Sequence, residues 1–156
     1  KYQKRVILKD FPYKGEYQYF LTFCTDNKQC CFSEKKVVEM CIDNLKNISE
    51  KTGFLVWVYC FMPDHLHLLV EGESSASDMK TFVFKFKQKT GYEFKKQYTQ
   101  KLWQENYYDH ILRSKEDTRE ISEYIMMNPV RKSLVENYAD YPYSGSFVFN
   151  KEEFFT

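Results

Sequence analysis

Residues 54–71 constrain the fold of this chain more than any other stretch. Phe54 to Met62 form an unbroken apolar run, short enough to be a buried β-strand. Pro63 and Asp64 punctuate it. His65 to Glu71 then read as a second strand, so the two runs predict a β-hairpin. Side chains alternate across a strand. Leu66, Leu68 and Val70 therefore share the face turned to the core, while His65, His67 and Leu69 share the other.

Two imidazoles two residues apart on one strand face stand close enough to share a divalent ion, and neutral imidazole is a common metal ligand. The spacing also fits a pair of surface histidines on a half-buried sheet. The chain has 3 histidines, and two of them are this pair, which favours the metal reading. A further ligand has to come from elsewhere. Ser114 to Asn128 read as a helix that ends before Pro129. Tyr124 and Asn128 are four residues apart and so share one face of it. Such a helix can present the Asn128 amide to a metal, with the Tyr124 phenol beside it. It can equally use Tyr124 at the core edge and Asn128 as a C-cap. Spacing leaves both readings open.

The remaining elements complete a pattern. Residues 17–25 alternate, with Tyr17, Tyr19, Leu21 and Phe23 on one face of a strand. A helix starts near Ser33 and Glu34, carries Val37, Val38, Cys41, Ile42, Leu45 and Ile48 at helical spacing, and stops at Gly53. Ser77 or Asp78 caps another helix running to about Lys89, with a continuation after Gly91. Residues 107–113 read as a fourth strand. The order βαββαβα predicts an α+β fold: an antiparallel sheet of four to five strands, a ferredoxin- or RRM-like palm, with helices packed on it. With 156 residues and no linker or repeat, the chain reads as a single domain over residues 1–156.

Charge and cysteine usage narrow the partners. Lys plus Arg number 23 against 22 Asp plus Glu, so nucleic-acid affinity has to come from local patches. One patch runs from Lys80 to Lys101, where Lys80, Lys85, Lys87, Lys89, Lys95, Lys96 and Lys101 face one acid, Glu93. Phe82, Phe84 and Phe86 interleave with them, and any exposed ring could stack on a base. The 5 cysteines are odd in number and form no CxxC pair, which points to reduced thiols rather than a disulfide framework or zinc knuckle. There is no signal-peptide pattern and no apolar run near 18 residues, which predicts a soluble cytoplasmic protein without membrane contact.

Four segments together resemble the HUH single-tyrosine transposases, IS200-like family, most closely the REP-associated tyrosine transposase branch. They are Tyr19-Phe20-Leu21-Thr22-Phe23, the stretch from Phe61 to Val70, the stretch from Trp103 to Arg113, and the stretch from Tyr124 to Arg131. They occur in the family's order and roughly its spacing. The chain departs from the family at Asp64, where Asn is frequent, and at Ser133, where smaller residues are common.

The resemblance implies that His65 and His67 bind Mg2+ or Mn2+ together with Asn128, and that Tyr124 is the nucleophile. It implies cleavage and rejoining of single-stranded DNA next to hairpins through a 5′-phosphotyrosine. Asp64 either adds charge near the ion or makes the turn. His110 is structural or touches DNA. Arg113, Arg131 and Lys132 flank the site as phosphate contacts, and Lys87 is a further DNA contact on the second helix. The protein acts as a monomer or a homodimer. Two other functions fit the residues: a hairpin-binding module without catalysis, and a different HxH metallohydrolase.

Overall fold

The hairpin organises the sheet. In the computed structural model, which describes residues 11–155, β2 (Phe54–Met62) and β3 (His65–Gly72) pair antiparallel across the two-residue turn Pro63-Asp64. β1 (Gln18–Cys24) lies on the other side of β3, and β4 (Tyr108–Leu112) pairs with β1. A short β5 (Ser144–Gly145) adds to the free edge of β2, giving the antiparallel order β4-β1-β3-β2-β5. The fold is the expected α+β one. β5 is the fifth strand, which the order βαββαβα did not locate.

Helices cover both faces. α1 (Lys35–Thr52) and α2 (Met79–Tyr98) pack on the face of Leu21, Phe23, Leu66, Leu68 and Val70 and bury Val38, Leu45, Phe82 and Phe86 there. α3 (Lys115–Met126) and the tail after it cover the opposite face, where Ile125, Met126 and Tyr141 meet Phe20, Val58 and Leu69. β1 is therefore buried on both sides rather than half-buried, and Tyr17, expected in its core face, lies outside the strand and is exposed. Among the described residues no helix is long and apolar enough to cross a membrane.

Local chemistry sets most boundaries. Gly53 ends α1 with φ of 79°, a left-handed value that a side chain would strain. The Asp78 carboxylate caps α2 by accepting from the Thr81 N–H at 3.1 Å, and the Ser114 hydroxyl caps α3 by accepting from the Asp117 N–H at 3.2 Å. Gly72 is required for another reason: a Cβ there would lie 2.0 Å from the Gly15 carbonyl oxygen. α2 runs without interruption past Lys89 and Gly91 to Tyr98, because Thr90 and Phe94 are buried and hold its last turns against α1 and Trp103.

Lys87 clasps α2 to the segment before β4. Its Nζ donates to the Gln104 carbonyl at 2.8 Å and the Glu105 carbonyl at 3.2 Å, and it sits over the rings of Phe23 and Tyr107. Burial, with Lys101 nearby, pulls its ammonium from the ordinary 10.5 down to about 8. Between those values the unfolded chain holds more protons at this position than the folded one, so this group's contribution to stability rises with pH. Comparing Lys87→Met with the wild type isolates that effect from other titrations. Urea unfolding should show the difference moving in favour of the wild type by about 1–2 kcal/mol between pH 7 and 9.5, after discounting for solvent screening. A difference flat with pH would mean that the ammonium is not desolvated.

Candidate active site

The site begins at the first residues of β3. Across the β1–β3 ladder Thr22 is opposite His67 and Cys24 is opposite His65. Paired residues point to the same face, so the Thr22 Oγ1 reaches His67 Nδ1 at 2.8 Å. At the turn, Asp64 Oδ1 lies 2.7 Å from His65 Nδ1. Both imidazoles are thus anchored through Nδ1, the kind of contact that fixes the orientation of a metal-binding histidine. The rings are 4.7 Å apart between centroids. Asp64 makes the turn and also places its carboxylate against His65.

Burial governs the charge of the pair. His67 is 1% exposed, and burial pushes its imidazole well below the usual histidine range, with His65 and Arg131 adding to the effect. Burial also lowers His65, with the Asp64 hydrogen bond and charge opposing it. The neutral form, which is the metal-binding form, is therefore favoured in both.

α3 brings Tyr124 to the same place. Ile125 and Met126 are buried against the sheet, which leaves Tyr124 at the edge of the contact, 45% exposed. Its ring lies 6.0 Å from the His67 ring and 6.2 Å from Phe20. The helix does not run on to Asn128 as the spacing predicts. It breaks at Met127 and restarts as α4 (Asn128–Arg131), with Pro129 in the first turn, where the missing N–H has no helical partner to lose. Asn128 is buried. Arg131 joins the pieces: its Nη2 donates to the Tyr124 carbonyl at 2.7 Å and to Asn128 Oδ1 at 3.1 Å, and its guanidinium carbon is 4.1 Å from the Tyr124 ring centroid. Arg131, read from sequence as a phosphate contact, is in large part a clamp.

Asp64, His65 and Tyr124 border a cleft of ≈ 620 Å³ whose walls also include Lys28, Cys30 and Lys132. Lys132 is placed here, as expected. Arg113 and Lys87 are not. Arg113 follows Leu112, which is brought level with Gln18 through β4 and so lies four residues, roughly 13 Å, from Thr22 along the strand direction. Lys87 lies on the opposite face of the sheet, over Phe23. His110 stands exposed on the edge strand β4. Two contributors escaped the sequence reading. Thr22 is the one aliphatic hydroxyl in β1, a visible signal. Lys28 arrives through the turn after β1 and has no signal in the sequence.

Among the described residues no group of three His, Cys, Asp or Glu converges. A metal at this place would have to be held by the two imidazoles and an amide or external oxygens, a donor set that suits a weakly held hard or borderline ion.

Comparison with known proteins gives the chain its relatives. The family model described as "Transposase IS200 like" matches residues 13–128. An uncharacterized protein of Haemophilus influenzae is 26% identical, with the match covering 89% of this chain and 94% of that protein. A REP-associated tyrosine transposase of Escherichia coli is 28% identical over 58% of this chain, and the match spans 53% of the Escherichia coli protein. The solved structure of a REP-associated tyrosine transposase bound to a REP hairpin has the same fold, with a TM-score of 0.76 at 19% identity over 89% of this chain and 81% of its own. The family match spans most of the chain and ends at Asn128, so this chain belongs to the IS200-like transposase family.

Proposed function

We propose that this protein is a DNA transposase that cleaves and rejoins single-stranded DNA next to hairpins, with Tyr124 as its nucleophile. The observation that carries the reading is the Tyr124 ring 6.0 Å from the His67 ring at the border of an open, lysine-flanked cleft. A tyrosine serving only the core has no need to be 45% exposed beside two anchored imidazoles.

In the proposed reaction the Tyr124 Oη attacks phosphorus in the DNA backbone. The new Tyr–O–P bond forms as the P–O3′ bond breaks. The phenol proton is lost, and the departing oxygen takes a proton to become a free 3′-OH. The product is a 5′-phosphotyrosine. A 3′-OH from another strand reverses the chemistry, so rejoining needs no ATP, because the phosphodiester energy is kept in the covalent intermediate. His65, His67 and Asn128 would hold Mg2+ or Mn2+, which supplies Lewis-acid polarisation of the phosphate and offsets its charge. Asp64 and Thr22 hold the two imidazole rings in place. Arg131 keeps the Tyr124 backbone and the Asn128 amide in fixed relation. Lys28 and Lys132, on the cleft walls, are placed to meet the phosphates of the bound strand.

Three outcomes follow. Incubation with single-stranded hairpin DNA should give a denaturation-resistant protein–DNA band. Tyr124→Phe should remove both the band and the cleavage while leaving the hairpin Kd within about twofold, since the hydroxyl alone is lost. Cleavage by this variant would show that the nucleophile is another group. Metal removal is the second test. Excess chelator should abolish adduct formation, and added Mn2+ should restore it at least as well as Mg2+, because imidazole ligands suit Mn2+ better. Full activity in chelator is incompatible with the proposed ligands. Third, Arg131→Ala should slow adduct formation by about 10–100-fold without abolishing it, the scale expected for a misplaced nucleophile. Arg131→Lys should recover little, because a compact ammonium lacks the planar face that stacks on the Tyr124 ring while donating to the two oxygens.

A further inference from the structure

A groove bordering α2 lies on the opposite face of the sheet from His65 and His67. It has a volume of ≈ 760 Å³ and runs between α2 and the segment 101–107. Lys80, Phe84, Gln88 and Lys95 line it from the helix, recurring at spacings of four and seven, so they form one stripe. From Lys80 to Lys95 this stripe is about 22 Å long at the helical rise. Lys101 faces it from the other wall, and Lys87 forms part of the floor. Glu105 is the one carboxylate along the groove, against four lysines. Phe84 is 63% exposed. A phenylalanine this open on a helix that buries Phe82 and Phe86 contributes nothing to the core.

The wall of the groove is bonded to the wall of the cleft. The Asp26 N–H donates to the Leu102 carbonyl at 2.8 Å, and the Gln104 N–H donates to the Cys24 carbonyl at 2.9 Å. Thr25 forms a β-bridge with Trp103. The Thr25 N–H also donates to the Asp64 carbonyl at 3.0 Å. Residues 24–28, of which Cys24 and Lys28 line the cleft, are thus a wall tied through the backbone to Leu102, Trp103 and Gln104, which line the α2 groove. Lys28 stands on the cleft side of this wall and Lys101 on the groove side.

We propose that this groove binds the single-stranded DNA that continues from the cleft around the 24–28 wall. Lys80, Lys95 and Lys101 meet its phosphates, and Phe84 stacks on an unpaired base. A positively charged groove with an exposed aromatic ring is the recurring solution for holding an unpaired strand. A duplex stem has its bases already stacked and gives Phe84 nothing to receive. The inference rests on the proposed DNA activity and adds a second contact surface to it.

The test compares two DNAs by fluorescence anisotropy: a blunt hairpin, and the same hairpin with a single-stranded extension of about ten nucleotides. The wild type should bind the extended DNA more tightly. Phe84→Ala should weaken binding of the extended DNA about tenfold, in the range of one lost base–aromatic stack. The triple variant Lys80→Ala/Lys95→Ala/Lys101→Ala should flatten the salt dependence on the extended DNA by a log–log slope of about two. Both variants should bind the blunt hairpin like the wild type and retain Tyr124 adduct formation at saturating DNA, since all four side chains are exposed. If both variants bind the extended DNA like the wild type, the groove assignment is wrong while the transposase reading stands. Equal losses on both DNAs would identify a duplex contact and overturn the single-strand assignment. A wild type that binds neither DNA overturns the proposed function, and the groove assignment with it.

Discussion

The register of β1 against β3 is the constraint on which the rest of the site depends. Thr22 opposite His67 and Cys24 opposite His65 put the hydroxyl, the sulfur and both imidazoles on one face. A strand has a period of two, so a slip by one residue would carry every side chain to the wrong side. This register is locked twice. Leu66, Leu68 and Val70 are buried in one core, and Leu69 is buried in the other, so neither face tolerates polar residues in their place. Burying His67 is costly unless the ring is hydrogen-bonded and uncharged. The Thr22 hydroxyl meets the first condition, and the depressed basicity of the buried ring meets the second.

Tyr124 reaches the histidines by a different route, through packing. Ile125 and Met126 anchor α3 on the sheet, and their neighbour Tyr124 is carried to the edge of that contact. The position of a side chain at the edge of a packed helix is only as fixed as the helix end that bears it. The break at Met127 makes that end vulnerable, and Arg131 spans it with two hydrogen bonds and a stacked guanidinium. The site is therefore a junction of three segments far apart in sequence: Thr22 on β1, residues 64–67 at the hairpin turn, and residues 124–131 around the helix break.

What was legible in the sequence was local. The hairpin turn at Pro63-Asp64, the stop at Gly53 and the caps at Asp78 and Ser114 each rest on a residue whose own chemistry sets the boundary. The common face of His65 and His67 follows from strand alternation alone. What was not legible depends on partners distant in the chain. β5 is two residues long and exists because the Tyr143 carbonyl accepts from the Phe61 N–H and the following residues pair with β2. α2 passes Gly91 because Thr90 and Phe94 are buried by other elements. Pro129 starts a helical turn instead of ending one because the chain breaks one step earlier. Lys87 could be read as basic, but not as facing away from the histidines, since the face a helix presents depends on which side of the sheet it packs.

The placement of the lysines also resolves the apparent conflict between a nucleic-acid enzyme and a chain of net charge +1. Electrostatic attraction over distances beyond about 10 Å is screened at ordinary ionic strength, so binding depends on charges next to the phosphates rather than on the total. The acids are largely elsewhere, some of them in i, i+4 pairs on outer helix faces, such as Lys35 with Glu39, Lys46 with Glu50 and Arg119 with Glu123. The cleft carries Lys28 and Lys132, and the α2 groove carries Lys80, Lys87, Lys95 and Lys101. Cys24 and Lys28 line the cleft, and their segment is held by backbone hydrogen bonds to Asp64 and to Leu102 and Gln104, which line the groove. A near-neutral protein can therefore present two lysine-rich depressions, whose walls meet at one short segment that backbone hydrogen bonds tie to its neighbours.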